Sequence, residues 1–380
     1  MIYLDYAATS PIEKEVIDTI TQAMQENYGN PSSIYRIGRR EKNKIALARR
    51  NMANHLNIEA NKLFFTSGAT EANNWALASQ AYQAKELGYG NEIISTSIEH
   101  PSVHEVLEHL SNHGFKIHYL DPRKDYVNQF KALTNENTIG WVAMAVNNEV
   151  GTILPIQTLG DLAKEQGVWF HVDAVQALSH MEIDFGEMNC TSFVGSAHKF
   201  GGPKGIGFLV YQPFDKKMTL QPFILGGGQE YKKRSGTENT SYIFGMSKAM
   251  DVYMNDLPSR INHYQMLSHH LIQTLDQTDI EYEVNGAEYP KVANVTNLWF
   301  KGMDSHQLLI KLDMKDIFIS AGSACSAGTT EPSRILQAMY PNEKERWSQS
   351  VRISFGSNTT VKEIDQFVEA VLSIYKEVKE

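Results

Sequence analysis

Short apolar runs alternate with longer segments of helical period through the first two-thirds of the chain, and this alternation constrains the fold most strongly. Parallel strands need long crossover connections, so such a layout builds a parallel sheet joined by helices. Lys62-Leu63-Phe64-Phe65-Thr66, Glu92-Ile93-Ile94-Ser95-Thr96, Lys116-Ile117-His118-Tyr119-Leu120, Gly140-Trp141-Val142-Ala143-Met144-Ala145-Val146 and Val168-Trp169-Phe170-His171-Val172 read as strands. Glu71 to Lys85, Val103 to Asn112 and Leu159 to Gln166 read as the helices between them. Phe193-Val194-Gly195 and Gly207-Phe208-Leu209-Val210-Tyr211 have no helix between them, which leaves antiparallel pairing open. After Leu225 a polar loop opens at Gly226-Gly227-Gly228, followed by a helical stretch from about Thr240 to Leu275, with a domain change placed near Leu257-Pro258.

Composition narrows the function classes. A length of 380 residues suggests two or three domains. The two cysteines, Cys190 and Cys325, close at most one bridge and lack a paired-ligand spacing, which excludes a disulfide framework and a cysteine-rich zinc site. A formal charge of −9 gives no support to a broad basic surface, so no direct nucleic-acid partner is expected. The N-terminus shows no secretory pattern and no apolar run reaches the ~18 residues of a membrane helix, so the expectation is a cytoplasmic enzyme with no membrane partner.

Three stretches carry chemistry. Phe64-Phe65-Thr66-Ser67-Gly68-Ala69-Thr70-Glu71-Ala72-Asn73 reads as strand, turn of small residues and helix start, where free N–H groups and the helix dipole favour a phosphate; an ordinary capped helix has the same signature. Asp173 follows an apolar strand at the carboxyl edge of a parallel sheet, where a protonated pyridine ring would suit it; a structural carboxylate or helix cap is the other reading. Lys199, flanked by small residues in Gly195-Ser196-Ala197-His198-Lys199-Phe200-Gly201-Gly202-Pro203-Lys204-Gly205, can approach a carbonyl and form a Schiff base; an exposed lysine of a glycine-rich loop is the other reading. Phosphate cradle, strand-end carboxylate and loop lysine are together the three handles that pyridoxal phosphate requires.

With these residues in place the chain resembles the class V aminotransferase-like, fold-type I enzymes, and more closely the group I, NifS/IscS-type cysteine desulfurases. The resemblance runs from Tyr3-Leu4-Asp5-Tyr6-Ala7-Ala8-Thr9 through Tyr28-Gly29-Asn30-Pro31-Ser32-Ser33, Glu99-His100, Val146-Asn147-Asn148-Glu149-Val150-Gly151, His171-Val172-Asp173, Arg234-Ser235-Gly236-Thr237 and Gly322-Ser323-Ala324-Cys325 to Val351-Arg352-Ile353-Ser354-Phe355. It implies a large domain over 15–257 with a mostly parallel seven-stranded sheet, and a smaller α+β domain from 1–14 and 258–380. It implies that Lys199 anchors pyridoxal 5′-phosphate, Asp173 pairs with the pyridine nitrogen, Gln176 faces the ring hydroxyl and His100 stacks on the ring. Phosphate contacts would come from Ala69, Thr70, Ser196 and His198, with Thr237 supplied by the second subunit of a homodimer. Asn148 and Arg352 would hold the carboxylate of L-cysteine, which a guanidinium can meet with two parallel hydrogen bonds.

Cys325 is the expected nucleophile, on a small-residue loop with nothing apolar to bury it, and it would carry the sulfur as a persulfide; Cys190, at a strand edge, is expected to pack. His100 is the expected proton shuttle. His100 and His104 stand four apart, but Pro101 puts His100 at a helix cap and the H-E-x-x-H pattern is absent, so no metal site is expected. Rival readings are an aminotransferase or selenocysteine lyase of the same fold, and a docking protein that has lost the chemistry. In IscS-like relatives a further C-terminal tail helps dock the iron–sulfur scaffold protein. Here the sequence stops at Glu380, which leaves a tRNA-thiolation enzyme or another carrier as acceptor alongside the scaffold.

Overall fold

The structure is a computed structural model that describes residues 1–178, 180–322 and 332–379. In chain order its strands are β1 (Ile2–Tyr3), β2 (Leu63–Thr66), β3 (Glu92–Thr96), β4 (Lys116–Leu120), β5 (Thr138–Met144), β6 (Trp169–Asp173), β7 (Ser192–Ser196), β8 (Gly207–Tyr211), β9 (Tyr282–Val284), β10 (Val295–Phe300), β11 (Ile317–Phe318) and β12 (Ser350–Ser354). Seven of them form one sheet in the order β2-β8-β7-β6-β5-β3-β4. β3 to β7 run parallel, and β8 lies antiparallel between β2 and β7. Since β2 and β7 both oppose β8, they point the same way as the parallel strands. The carboxyl ends of β2, β3, β5, β6 and β7 therefore share one edge.

Both faces of this sheet are covered, so its central strands are apolar runs rather than alternating ones. β5 and β6 are buried along their whole length. Their register sets Gly140 opposite Trp169, and a Cβ at position 140 would stand 2.1 Å from the indole ring. Glycine is the residue that lets the buried Trp169 lie flat across the neighbouring strand.

The expected helix over 240–275 is two helices, Thr240–Asn255 and Leu257–Leu275, parted at Asp256, with Pro258 in the first turn of the second. Proline is tolerated there because the first helical N–H groups have no intrahelical acceptor. Beyond lies a three-stranded antiparallel sheet, β12-β10-β9, and a parallel pair, β1 with β11. A second apolar cluster gathers Leu4, Leu267, Leu271, Phe300, Val351 and Phe367, distinct from the cluster around Trp141, Phe170 and Phe193. The N-terminal strand thus packs with residues more than 250 positions away. Sequence reading left β1, β9, β11 and the helices Lys14–Glu26 and Arg36–His55 unassigned.

Candidate active site

At the shared strand edge lies a cavity of about 580 Å³. Its walls include Ala69, Thr70, His100, Asn148, Asp173, Gln176, Ser196, His198, Lys199 and Arg352, each of them a residue singled out from the sequence. β8 brings two of its walls together: Gly207 pairs with Thr66 on one side and Ser196 on the other. A Cβ on Gly207 would stand 2.6 Å from Gly195 O and 2.8 Å from Gly68 Cα, so the close approach requires glycine. Gly68 caps the helix Ala69–Glu86 without a side chain, which leaves the first helical N–H groups aimed outward, beside Ser196, His198 and Lys199.

Glu71 does not face the anion site as a free carboxylate. Ser67 N and Oγ donate to it at 2.9 and 2.6 Å, and Arg234 grips it at 2.8 and 3.0 Å. Burial works against its charge, but the Arg234 and Ser67 bonds outweigh that and hold its pKa below the ordinary value. The pair also ties the loop carrying Thr237 to the helix start. Thr237 itself is exposed and does not line the cavity.

Asp173 is buried at the end of β6, accepting from Val175 N and from Asn73 Nδ2, each at 3.0 Å. Lys199, on the single turn after β7, donates to Ala7 O and, at 2.9 Å, to Ala8 O. Gln176 donates to Ala7 O at 2.9 Å, while its Oε1 is buried with no partner among the described residues. Asn148 Oδ1 and Arg352 Nε are orphaned in the same way. Arg352 is nearly inaccessible, donates to Asn148 O at 2.8 Å and pairs with Asp5 at 2.7 Å.

Buried polar atoms without partners are rare in native proteins, and here three of them surround one cavity. A helix start suited to a phosphate, a buried carboxylate suited to a protonated ring nitrogen and a lysine amine complete a donor set that fits pyridoxal 5′-phosphate, with Asn148 and Arg352 left for a carboxylate. Burial pushes His198 down to about 4, with Lys199 and Lys204 adding to the effect. His198 therefore faces the cavity as a neutral ring, its Nδ1 3.2 Å from Thr9 Oγ1.

His100 is the N-cap of the helix Pro101–Ser111, as Pro101 required. Its Nδ1 is engaged by Ser102, while the His104 ring packs on the Tyr119 ring, centroids 5.3 Å apart. Burial lowers the His100 pKa. Cys190 is buried and its thiol is pushed well above the ordinary range, consistent with packing. Cys325 lies outside the described residues. Its flanks are placed: Ser320 exchanges backbone hydrogen bonds with Arg352, and Ser333 donates to the buried Glu149.

Three residues with no role assigned from sequence also belong to the site's support. Asn73 and Ser102 touch Asp173 and His100, and Arg334 donates to Ser97 O and Glu99 O. Asn73 sits inside the phosphate-cradle stretch, but nothing in its neighbours distinguishes it from a helix-surface asparagine.

A doubly covered, mostly parallel seven-stranded sheet with such a site at its carboxyl edge defines an α/β transferase of fold type I. Residues 2–367 match the model of the aminotransferase class-V family. Cysteine desulfurase IscS of Clostridium botulinum is 38% identical over 385 aligned positions, covering 100% of this chain and 95% of that protein. A solved NifS-like protein superimposes with a TM-score of 0.91 at 29% identity, covering 99% of both chains. SspA, solved in complex with cysteine, gives a TM-score of 0.80 at 30% identity, covering 93% of this chain and 99% of that one. The chain belongs to the aminotransferase class-V family, among its IscS- and NifS-type cysteine desulfurases.

Proposed function

We propose that the chain converts L-cysteine to L-alanine with pyridoxal 5′-phosphate held at Lys199, and carries the sulfur as a persulfide on Cys325. The observation that carries this reading is the convergence of Lys199, Asp173, Gln176, Asn148 and Arg352 on one cavity in which buried polar atoms still lack partners. The cofactor bound there would supply an electron sink for the pair left when the substrate Cα–H bond breaks. The residues of the chain do the rest. The start of Ala69–Glu86 with Thr70, Ser196 and His198 binds the phosphate, Asp173 holds the ring-nitrogen proton, and Gln176 meets the ring hydroxyl. Arg352 and Asn148 orient the substrate carboxylate, and Lys199 Nζ takes the α-proton. The Cys325 thiolate attacks the substrate sulfur; an S–S bond forms, the substrate C–S bond breaks, and protonation at carbon leaves alanine.

The large domain is taken as 15–257 and the small one as 1–14 with 258–380, supported by the second apolar cluster, whose residues all lie in the latter, while the first also takes in Ala7, Val295 and Leu336. A homodimer supplying Thr237 across its interface is supported by strong exposure of apolar side chains in the same region of sequence, Leu225 at 82%, and by Ile34 at 87%. The acceptor would be an iron–sulfur scaffold, a tRNA-thiolation enzyme or another carrier in the cytoplasm. The test is product analysis: alanine and sulfide should form from L-cysteine with thiol reductant and without any keto acid. Cys325→Ser should abolish sulfide release; undiminished release, or a strict keto-acid requirement, overturns the reading.

A further inference from the structure

Behind the cavity runs a buried chain of hydrogen bonds whose direction is fixed by groups that can only donate or only accept. Gln80 and Asn73 both lie on the helix Ala69–Glu86, two turns apart and on one face. Gln80 Nε2 is 3.1 Å from Ala76 O, and a carbonyl only accepts, so this side of the amide is the NH₂ group. The same nitrogen donates to Ser192 Oγ at 2.9 Å, which leaves the Ser192 hydroxyl proton for His171 Nδ1 at 2.8 Å. His171 is fully buried, and burial pushes its pKa down to about 3, so the ring is neutral. A neutral ring that accepts at Nδ1 carries its proton on Nε2, and that nitrogen meets Asn73 Oδ1 at 2.9 Å.

The other end of the chain demands the same orientation of Asn73. Its Nδ2 lies 3.0 Å from Asp173 Oδ2, and the opposite amide orientation would set oxygen against oxygen. The second Nδ2 hydrogen reaches Ser102 Oγ at 2.9 Å. Ser102, accepting there, turns its own hydroxyl proton to His100 Nδ1 at 2.8 Å, and its backbone N–H reaches the same nitrogen at 3.1 Å. Every link from Gln80 to Ser102 is buried, so water does not compete there, and only the last, from Ser102 to His100, is part-buried.

We infer that Asn73 is a positioning residue: accepting from His171 and donating to both Asp173 and Ser102, it holds His100 as the Nε2–H tautomer with Nδ1 an acceptor, and aims Asp173 at the same time. A proton on Nδ1 would face the Ser102 N–H and force the Ser102 hydroxyl to turn. The charged groups facing His100 are Asp173 from β6, Lys199 from the turn after β7 and Arg334 from the helix Arg334–Met339; the first favours a charged ring and the two cations oppose it. His100 thus enters the reaction as a neutral ring whose proton is on Nε2, and it does not take up a proton at Nδ1 without reversing the relay. The importance of this for turnover rests on the proposed roles of His100 and Asp173; the hydrogen-bond direction does not.

Nitrogen-15 spectra of histidine-labelled holoenzyme test it, with His100 assigned by its loss in His100→Gln. Wild type should show the Nε2–H tautomer. Asn73→Leu, which can neither accept from His171 nor donate to Ser102, should free the Ser102 hydroxyl and lower the Nε2–H population of His100. Ser102→Ala, which keeps the backbone N–H at Nδ1 but removes the hydroxyl, should lower the Nε2–H population relative to wild type, and Ser102→Thr should restore it. A wild-type His100 protonated at Nδ1, or an unchanged Nε2–H population in folded Asn73→Leu, overturns the inference; if Asn73→Leu does not fold, an unchanged population in Ser102→Ala overturns it and a lowered one supports it. Turnover by His100→Gln separately tests the role of the ring, and full activity there would remove that role while leaving the tautomer result intact.

Discussion

At the scale of single residues, the two cysteines show how much environment decides. Cys190 is a buried thiol whose ionisation burial suppresses, so it has neither access nor the thiolate form that sulfur chemistry needs. Cys190→Ala should leave sulfide release within about twofold of wild type while costing ~1–2 kcal/mol of stability in urea unfolding; loss of turnover at unchanged stability would contradict this. Arg352 offers a sharper case, because its guanidinium already serves Asn148 O and Asp5. A lysine there keeps the charge but loses the planar fork. Arg352→Lys should therefore lower kcat/KM for L-cysteine by about tenfold or more, a loss of ~1.4 kcal/mol or greater, with cofactor absorbance retained. The proposed role of Arg352 as a carboxylate binder came from the sequence only through resemblance. Its restraint by Asp5 was not legible there, since 347 positions separate the pair.

At the scale of elements, the sheet depends on close glycine contacts at two different strands, near the start of β5 and at the site edge in β8. Gly140 admits the Trp169 ring and Gly207 admits the Gly68 turn. Alanine at either site overpacks the core, for which ~1–3 kcal/mol of destabilisation is typical. Only Gly207 lies beside the proposed phosphate cradle, against Gly68. Gly207→Ala should weaken cofactor retention, measured by dialysis against buffer, about tenfold more than Gly140→Ala does; equal retention in the two would detach β8 from the cradle. The strands β2 to β6 and the helices Ala69–Glu86, Pro101–Ser111 and Ile156–Gln166 were readable because periodicity is local, whereas the short helix Tyr126–Leu133 between β4 and β5 was not read. The two-residue strands β1 and β11 were not, because so short a pair is defined by its partner rather than its own pattern.

At the scale of the molecule, buried histidines give stability a pH dependence. Burial holds His171 at about 3, and His180 and His198 at about 4, below the ordinary value of 6.5. The unfolded chain therefore binds more protons below that value, and each group's contribution is present above pH 6.5 and lost as pH falls. Glu99 acts in the opposite sense: burial raises it to about 7 from 4.5, so its contribution is lost as pH rises between these values. His100 and His104 are also lowered and Glu149 is also raised, so the histidines outnumber the carboxyls and leave a net decline, of up to ~1.4 kcal/mol per pH unit for each fully engaged proton. Urea midpoints of the holoenzyme should fall from pH 6.5 to 5, and His171→Asn should flatten the slope; a midpoint that rises on acidification would contradict the balance. The proposed dimer belongs to the same scale, and sedimentation of a fully active monomer would overturn it.

By itself the sequence determined the mostly parallel sheet, because alternating apolar runs and helical periods admit few other layouts. It also determined the chemical types in the site, because a small-residue helix start, a strand-end carboxylate and a loop lysine carry their chemistry locally. Only the tertiary structure decided how those groups are held. The relay from Gln80 through His171 and Asn73 to Ser102 and His100 joins a helix, two strands and a cap into one set of directed bonds. A hydrogen bond's direction depends on every other bond its two groups make. That set exists only once the chain has folded, so the protonation geometry behind the site could not be read from the order of residues.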